Sequence, residues 1–315
     1  MDKYCKICKL IFRDLISLHR HFRSHKILVE DYYHLYFPRK DLMTGDLIDF
    51  KSLDFYFNHD FNDKSTMKAW LEKQPKEIVA DYCKKILLNR KERKNLKYTP
   101  TQVELRSIMS PSILFFKKNF DDYYETCKGL GFINKFKNFN KEDFNKIKSN
   151  RKTGTIIIDT REQQEFKFDT TIKREKLNYG DYALDIPDRK VIVERKTLKD
   201  FVGTFSNYYH RFIKEIERAK LDNIYLVIVV ENSINDCLSF NILKDGVYWR
   251  VTPDHIFHNV RDLIERFENV QFIFCKGKDK AANLTKFILE HEDMALNYDL
   301  QLLHDERILD VVCSS

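Results

Sequence analysis

The sequence predicts an α/β domain across residues 154–292, preceded by a small Cys/His-rich unit and a mainly helical middle segment. Two observations carry the α/β assignment. Short continuous apolar runs, Thr155-Ile156-Ile157-Ile158, Ile224 to Val230 and Gln271 to Cys275, read as strands buried on both faces. Helical spacing of apolar residues lies between and after them, at about 197–220, 254–267 and 280–291, and this alternation is the pattern of a sheet flanked by helices. A third observation concerns the N-terminus, where Cys5, Cys8, His21 and His25 stand at a spacing suited to one metal ion.

In chain order, residues 1–26 form the Cys/His unit. Residues 27–130 open on an aromatic-rich stretch, Asp31 to Pro38, and then turn helical: Ile78, Val79, Tyr82, Ile86 and Leu87 recur at three and four, as on one face of an amphipathic helix. Pro100 and Pro111 punctuate this basic middle domain. Residues 131–153 are rich in Lys and Asn, with Phe132, Phe136, Phe139 and Phe144 interspersed, and read as a basic linker. Residues 293–315 read as a C-terminal tail. There is no internal repeat, and no Gly-rich phosphate loop follows any strand, so a dinucleotide-binding or P-loop fold lacks its signature.

With 315 residues, 43% hydrophobic content, 25 Phe and 16 Tyr, the chain can furnish real cores for two or three domains. No apolar stretch approaches the ~18 residues that span a bilayer, and Met1 to Cys5 begins no signal peptide. A soluble, intracellular protein with no membrane partner is expected, with nucleus and cytoplasm both open. The seven cysteines are odd in number and mostly scattered, which is no disulfide framework. The net charge of +7 is uneven: residues 1–26 set seven basic residues against Asp2 and Asp14, while 83–97 and 131–152 are similarly rich in Lys and Arg. Such clusters suit a polyphosphate partner, and a solvated lysine-rich surface is the alternative.

Cys5-x2-Cys8-x12-His21-x3-His25 places two thiolates near a hairpin and two imidazoles one helical turn apart, a tetrahedral set for Zn²⁺. Phe12 and Leu18 occupy the two positions that form a miniature core, and His19 is read as a non-ligand. Over about 22 residues this resembles the Cys2His2 zinc fingers, a ββα fold, although the usual aromatic two places before the first Cys is Lys3. The resemblance implies base-facing positions at Asp14, Ser17 and Arg20. One finger reads only ~3 base pairs, so docking on DNA, protein contact and a structural role all remain open.

Three blocks in the third zone carry candidate chemistry: Asp159-Thr160-Arg161-Glu162, Gly180-Asp181-Tyr182, and Glu194-Arg195-Lys196 followed by Asp200. Tyr182–Ile186 and Lys190–Val193 read as a hairpin around the turn signal Pro187-Asp188. A turn centred between 187 and 188 sets Asp181 opposite Glu194, with Cβ atoms ~5 Å apart. Strand alternation puts Ile192, Glu194 and Lys196 on one face and Val191, Val193 and Arg195 on the other. Two carboxylates and an ammonium then converge, which suits a hard divalent cation and water-driven phosphodiester hydrolysis. A surface salt-bridge ladder is the alternative on geometry alone.

The ordered blocks Asp-x-Arg-Glu, Gly-Asp-Tyr and Glu-Arg-Lys-x3-Asp resemble the nuclease domain of the XPF family of structure-specific endonucleases, a branch of the PD-(D/E)xK restriction-endonuclease-like fold. The likeness covers about residues 154–292. It implies a mixed sheet flanked by helices, Mg²⁺ (or Mn²⁺) held by Asp181 and Glu194 with Asp159 as a third candidate, and Lys196 at the attacking water. It further implies that Arg161, Arg195 and Asp200 belong to the catalytic motif, that Arg211 faces DNA, and that cleavage leaves a 5′-phosphate and a 3′-hydroxyl. Facing away from the metal, Arg195 also suits a structural ion pair.

The family's tandem helix-hairpin-helix module is not visible after residue 292, so the grip on DNA is expected from the finger and the basic middle zone. The reading is a metal-dependent endonuclease selective for branched, flap or junction DNA in repair, recombination or replication. Partners expected are DNA and a homodimer or heterodimer mate through the nuclease domain. The rivals are a catalytically silent DNA-binding or scaffold subunit and a sequence-reading regulator built on the finger.

Overall fold

A computed structural model describes residues 3–120, 122–240 and 251–313, and the chain divides into two compact units, residues 1–81 and 82–315. Phe144, counted among the aromatics of the basic linker, and the last residues of the expected tail fall outside the described side chains. No helix among the described residues is long and apolar enough to cross a membrane.

The first unit contains α1 (Leu15–His21), a 3-10 turn at Phe22–His25, α2 (Val29–Tyr36), α3 (Leu53–Asn58) and α4 (Lys64–Leu71). Helix starts follow capping chemistry: Asp14, Ser52 and Asp63 each accept a backbone N–H from the first turn. Its core joins Cys5, Leu18 and Phe22 of the Cys/His unit to Tyr32, Tyr33, Ile48 and Tyr56. The Phe22 and Tyr32 rings stack with centroids 3.9 Å apart, and Lys6 N donates to Tyr32 Oη at 2.8 Å. The Cys/His unit is therefore packed into a larger aromatic core.

The division between units falls within α5 (Lys76–Lys94). Val79, Cys83 and Leu87 form its buried stripe, while Ile78, expected on that face, is exposed. There follow α6 (Gln102–Arg106), α7 (Ile113–Asn119), α8 (Tyr123–Gly129) and α9 (Lys141–Ser149). The sheet strands are β1 (Ile156–Asp159), β2 (Ile172–Glu175), β3 (Tyr182–Leu184), β4 (Val191–Lys196), β5 (Tyr225–Val230) and β6 (Val270–Phe274). Between them lie α10 (Leu198–Ser206), α11 (Tyr209–Leu221), α12 (Ile234–Leu238) and α13 (Pro253–Arg266). After β6 come α14 (Lys278–Glu290), α15 (Glu292–Asn297), α16 (Leu300–Asp305) and α17 (Ile308–Cys313).

The strand order is β2-β1-β3-β4-β5-β6. β1 runs parallel to β2 and antiparallel to β3, β3 and β4 are antiparallel, and β4, β5 and β6 are parallel. This is the mixed sheet flanked by helices that the sequence predicts. Alternation sorts the side chains as a pleated strand requires. Ile157, Ala183, Ile192, Leu226, Ile228 and Phe272 face α10, α11 and α13. Ile158, Tyr182, Val191, Val193, Val227 and Ile273 face α14 to α17.

The stretches read as basic linker and tail contribute to this second unit. Lys135 Nζ donates to Phe267 O at 3.0 Å and Lys152 N to Glu290 O at 2.8 Å. Met294, Leu300, Leu303 and Leu309 belong to the core on one face of the sheet. Gln102 N donates to Asp299 at 2.7 Å, Arg106 pairs with Asp305 at 2.8 Å, and buried Arg90 bonds Glu265 at 2.5 Å. Several cations of the basic runs are thus neutralised within the fold.

Candidate active site and metal centres

The β3–β4 hairpin sets the centre. Tyr182 pairs with Val193 and Ala183 with Ile192, the register that places Asp181 opposite Glu194. The turn is centred where Pro187-Asp188 predicts, with Asp188 at φ +53, but β3 ends at Leu184 and β4 begins at Val191, so the loop is six residues long. Gly180 explains the residue before Asp181: its φ is +60, and a Cβ would lie 2.5 Å from Ile192 Cγ2 and 2.9 Å from Val193 O. Asp181 is fixed at both ends. Its N–H donates to Val193 O at 2.9 Å, and its Oδ2 accepts from Arg195 N at 2.8 Å.

Glu194 and Lys196 share the face of β4 that meets α11. Lys196 Nζ is ion-paired with Glu194 Oε1 and lies 5.1 Å from the centre of the Phe212 ring. Burial raises the Asp181 carboxyl well above the ordinary carboxylate range, and the charge of Glu194 adds to the rise. For Lys196, burial works to lower the ammonium, but Glu194 and Asp181 outweigh it and the net shift is upward. Two carboxylates with one shared ammonium leave negative charge in a largely water-excluded place. Such a donor set fits a hard divalent cation, which would relieve the repulsion.

The other expected residues are distributed around this pair. Asp159, buried at the end of β1, accepts from Arg161 N and Nε at Oδ1 and from Arg161 Nη2 and Leu177 N at Oδ2. Those bonds hold its carboxyl below the ordinary range despite burial, and they occupy about the four acceptor positions a carboxylate offers. Asp159 therefore supports the loop that carries Arg161. Arg195 points to the opposite face of β4 and pairs with Glu231 at 2.5 Å and Glu162 at 3.3 Å. Asp200 is exposed, bonded through Oδ2 to Thr197 Oγ1 at 2.5 Å at the start of α10. Arg211 is exposed on α11.

Two carboxylates escaped the sequence reading. Glu231 flanks Arg195 together with Glu162, the last residue of the first block. Glu215 is half-buried on α11, and burial together with the nearby Glu194 charge raises its carboxyl against the pull of the Gly180 backbone. Its only signal was position: it lies three residues after Phe212 and one before Ile216, at the margin of the apolar stripe.

In the first unit, Cys5, Cys8, His21 and His25 bring one ligand atom each to within 4.8 Å of one another, the one such His/Cys/Asp/Glu group of three or more among the described residues. Cys8 Sγ is 3.1 Å from His21 Nε2, which is 3.0 Å from His25 Nε2. The thiolate and imidazole donors fit Zn²⁺. An antiparallel bridge between Tyr4 and Ile11 precedes α1. Phe12 packs on His21, with centroids 4.7 Å apart, and His19 turns away to bond Tyr33 Oη at 3.0 Å. Arg20 is exposed on α1, while Asp14 serves as its N-cap.

A search of curated proteins finds no match for the chain. Among solved structures, the chain is similar to XPF from Aeropyrum pernix in complex with DNA, at 16% identity and a TM-score of 0.33, covering 45% of this chain and 66% of that one, just under two thirds. It is likewise similar to a second structure of XPF from Aeropyrum pernix, at 16% identity and a TM-score of 0.33, covering 49% and 68%. Residues 158–288 match the family described as "ERCC4 domain". The matched segment runs from β1 to α14 and includes Asp159, Asp181, Glu194 and Lys196.

Proposed function

We propose that the chain is a Mg²⁺-dependent DNA endonuclease of the XPF type, selective for branched DNA. The observation that carries this reading is the convergence of Asp181, Glu194 and Lys196 on one face of the β3–β4 hairpin inside an ERCC4 domain. Asp181 and Glu194 would hold the divalent cation, which when bound supplies Lewis-acid polarisation of the scissile phosphate. Lys196 directs a positive charge at the nucleophilic water and the developing charge on phosphate oxygens. Arg195 N–H, bonded to Asp181 Oδ2, fixes the orientation of that carboxylate. Arg161, largely exposed and paired with Asp159, would contact the backbone of DNA. In the first unit, Cys5, Cys8, His21 and His25 would hold Zn²⁺ as a structural ion, leaving Arg20 exposed for contact with phosphate.

The test is cleavage of labelled linear, flap, fork and four-way substrates by the purified chain with and without Mg²⁺. Cutting that prefers a branched substrate, requires Mg²⁺ and disappears in Asp181→Asn and Glu194→Gln is expected. Lys196→Ala should lower the rate by ~10²- to 10³-fold. A folded chain that binds these substrates without nicking any of them would make it a silent DNA-binding subunit instead.

A further inference from the structure

Lys196 and Glu194 form an ion pair, yet the proposed chemistry asks both to act outward, the carboxylate on a cation and the ammonium on water. Lys196 is closely enclosed: it lies over Phe212 of α11, on a strand whose two neighbours complete the sheet around it. If Glu194 turned to a cation with no other anion at hand, a buried ammonium would lose its counter-charge. One further carboxylate faces the same space. Glu215 is three residues after Phe212, so the two side chains share a face of α11, and it interacts electrostatically with Glu194, Lys196 and Arg161. The backbone of Gly180, next to Asp181, also acts on its carboxyl.

Resting on the reading of Asp181 and Glu194 as a divalent-cation site, we propose that Glu215 is a positioning residue: it takes over the Lys196 ammonium when Glu194 is drawn to the cation. The exchange moves no proton and breaks no covalent bond. One ion pair, Glu194 with Lys196, is replaced by another, Glu215 with Lys196, while the cation gains Glu194. Helix α11 thereby completes the centre, and Glu215 acts on the cation only through Lys196.

Mn²⁺ binding to the full chain, followed by electron paramagnetic resonance, tests this independently of cleavage. Glu215→Gln keeps the size and polarity of the side chain but removes the charge. It should weaken Mn²⁺ binding roughly tenfold, within the usual range for two coupled sites, with the thermal midpoint close to that of the unsubstituted chain. In a Lys196→Met background the same change should have no effect, because the residue it acts through is gone. Equal weakening in both backgrounds would mean that Glu215 acts on the cation directly, and no weakening in either would leave Glu215 without a part at the centre; each result overturns the proposal. Binding that resists Glu194→Gln would overturn the metal-site reading itself, and this inference with it.

Discussion

Arg195 Nε lies 2.5 Å from Glu231 Oε1, on the face of β4 turned away from Glu194 and Lys196. With Glu162 at 3.3 Å on its other side, the guanidinium neutralises two carboxylates while almost fully buried. Arg195→Ala should cost ~3–5 kcal/mol of stability, since two acids lose a buried partner. Urea unfolding measures the loss. The fraction that remains folded in the cold should still cut DNA with Mg²⁺; a folded but inactive variant would give Arg195 a part in the chemistry.

Gly180→Ala should impair the centre without touching a charged group. The added methyl meets Val193 O at 2.9 Å and Ile192 Cγ2 at 2.5 Å at a φ that favours glycine. Relief requires β3 to shift from β4, and such strain costs ~1–3 kcal/mol. Amide chemical shifts of Asp181 and Val193 should move, and Mn²⁺ affinity should fall. Unchanged shifts and affinity would mean that the hairpin absorbs the methyl.

Stability should depend on pH through Asp299. Burial raises its carboxyl to about 6, against the pull of the Gln102 and Leu302 N–H groups. The folded state thus holds this proton more tightly than the unfolded chain, whose value is near 3.8. The contribution is complete below about pH 4 and lost as pH rises toward 6, by up to ~3 kcal/mol at 1.36 kcal/mol per unit. Glu265, raised by burial to about 6, acts in the same direction, while Asp305, held at about 2, acts oppositely below about pH 4. The urea midpoint should fall between pH 4 and 6, less steeply in Asp299→Asn. A midpoint that rises across this range would refute the assignment.

Stripping metal from the first unit, by chelation or by Cys8→Ser, should disturb more than the Cys/His segment. Phe22 stacks on Tyr32 and His19 bonds Tyr33, so loss of the ligand set should loosen the aromatic core. Near-ultraviolet circular dichroism should lose intensity from these tyrosines and regain it on addition of Zn²⁺. A signal indifferent to chelation would show that the aromatic core holds the unit alone.

The basic residues also divide the chain functionally. Deleting 1–81 should leave a folded nuclease unit with weaker DNA affinity and a shallower salt dependence, because the slope counts ~0.9 ions per phosphate contact. Deleting 1–153 should unfold it, since Arg90, Val103 and Gln102 are removed from the interior. Equal stability of the two truncations would contradict that account.

Much of the second unit is legible because its strands are extreme in composition. Ile156–Asp159, Tyr225–Val230 and Val270–Phe274 are buried along their length, so their apolar runs mark them without ambiguity. The hairpin register was legible because Pro187-Asp188 fixes a centre. β2 was not: Ile172–Glu175 is an exposed edge carrying Lys173, Arg174 and Glu175, and no apolar alternation survives there. Nor was the break between α10 and α11, since the apolar spacing continues through Asn207 and Tyr208. Glu215 escaped because a single acid beside a core stripe resembles any solvent-side residue until β4 supplies the ammonium it faces. The basic runs suggested more free charge than the fold leaves, because partners such as Glu265 and Glu290 are distant in sequence.

The composition that concealed β2 also protects the sheet. An edge strand offers unpaired N–H and C=O groups on which another chain can extend a ladder. Here Lys173 bridges Glu175 at 3.0 Å and Asp185 at 2.7 Å, and Arg174 reaches Glu165 at 2.7 Å. A foreign strand approaching this margin would have to strip water from fixed charges of both signs before forming its first backbone bond. The charged border therefore discourages self-association at high concentration and limits fibrillar growth from an interior rich in isoleucine and valine.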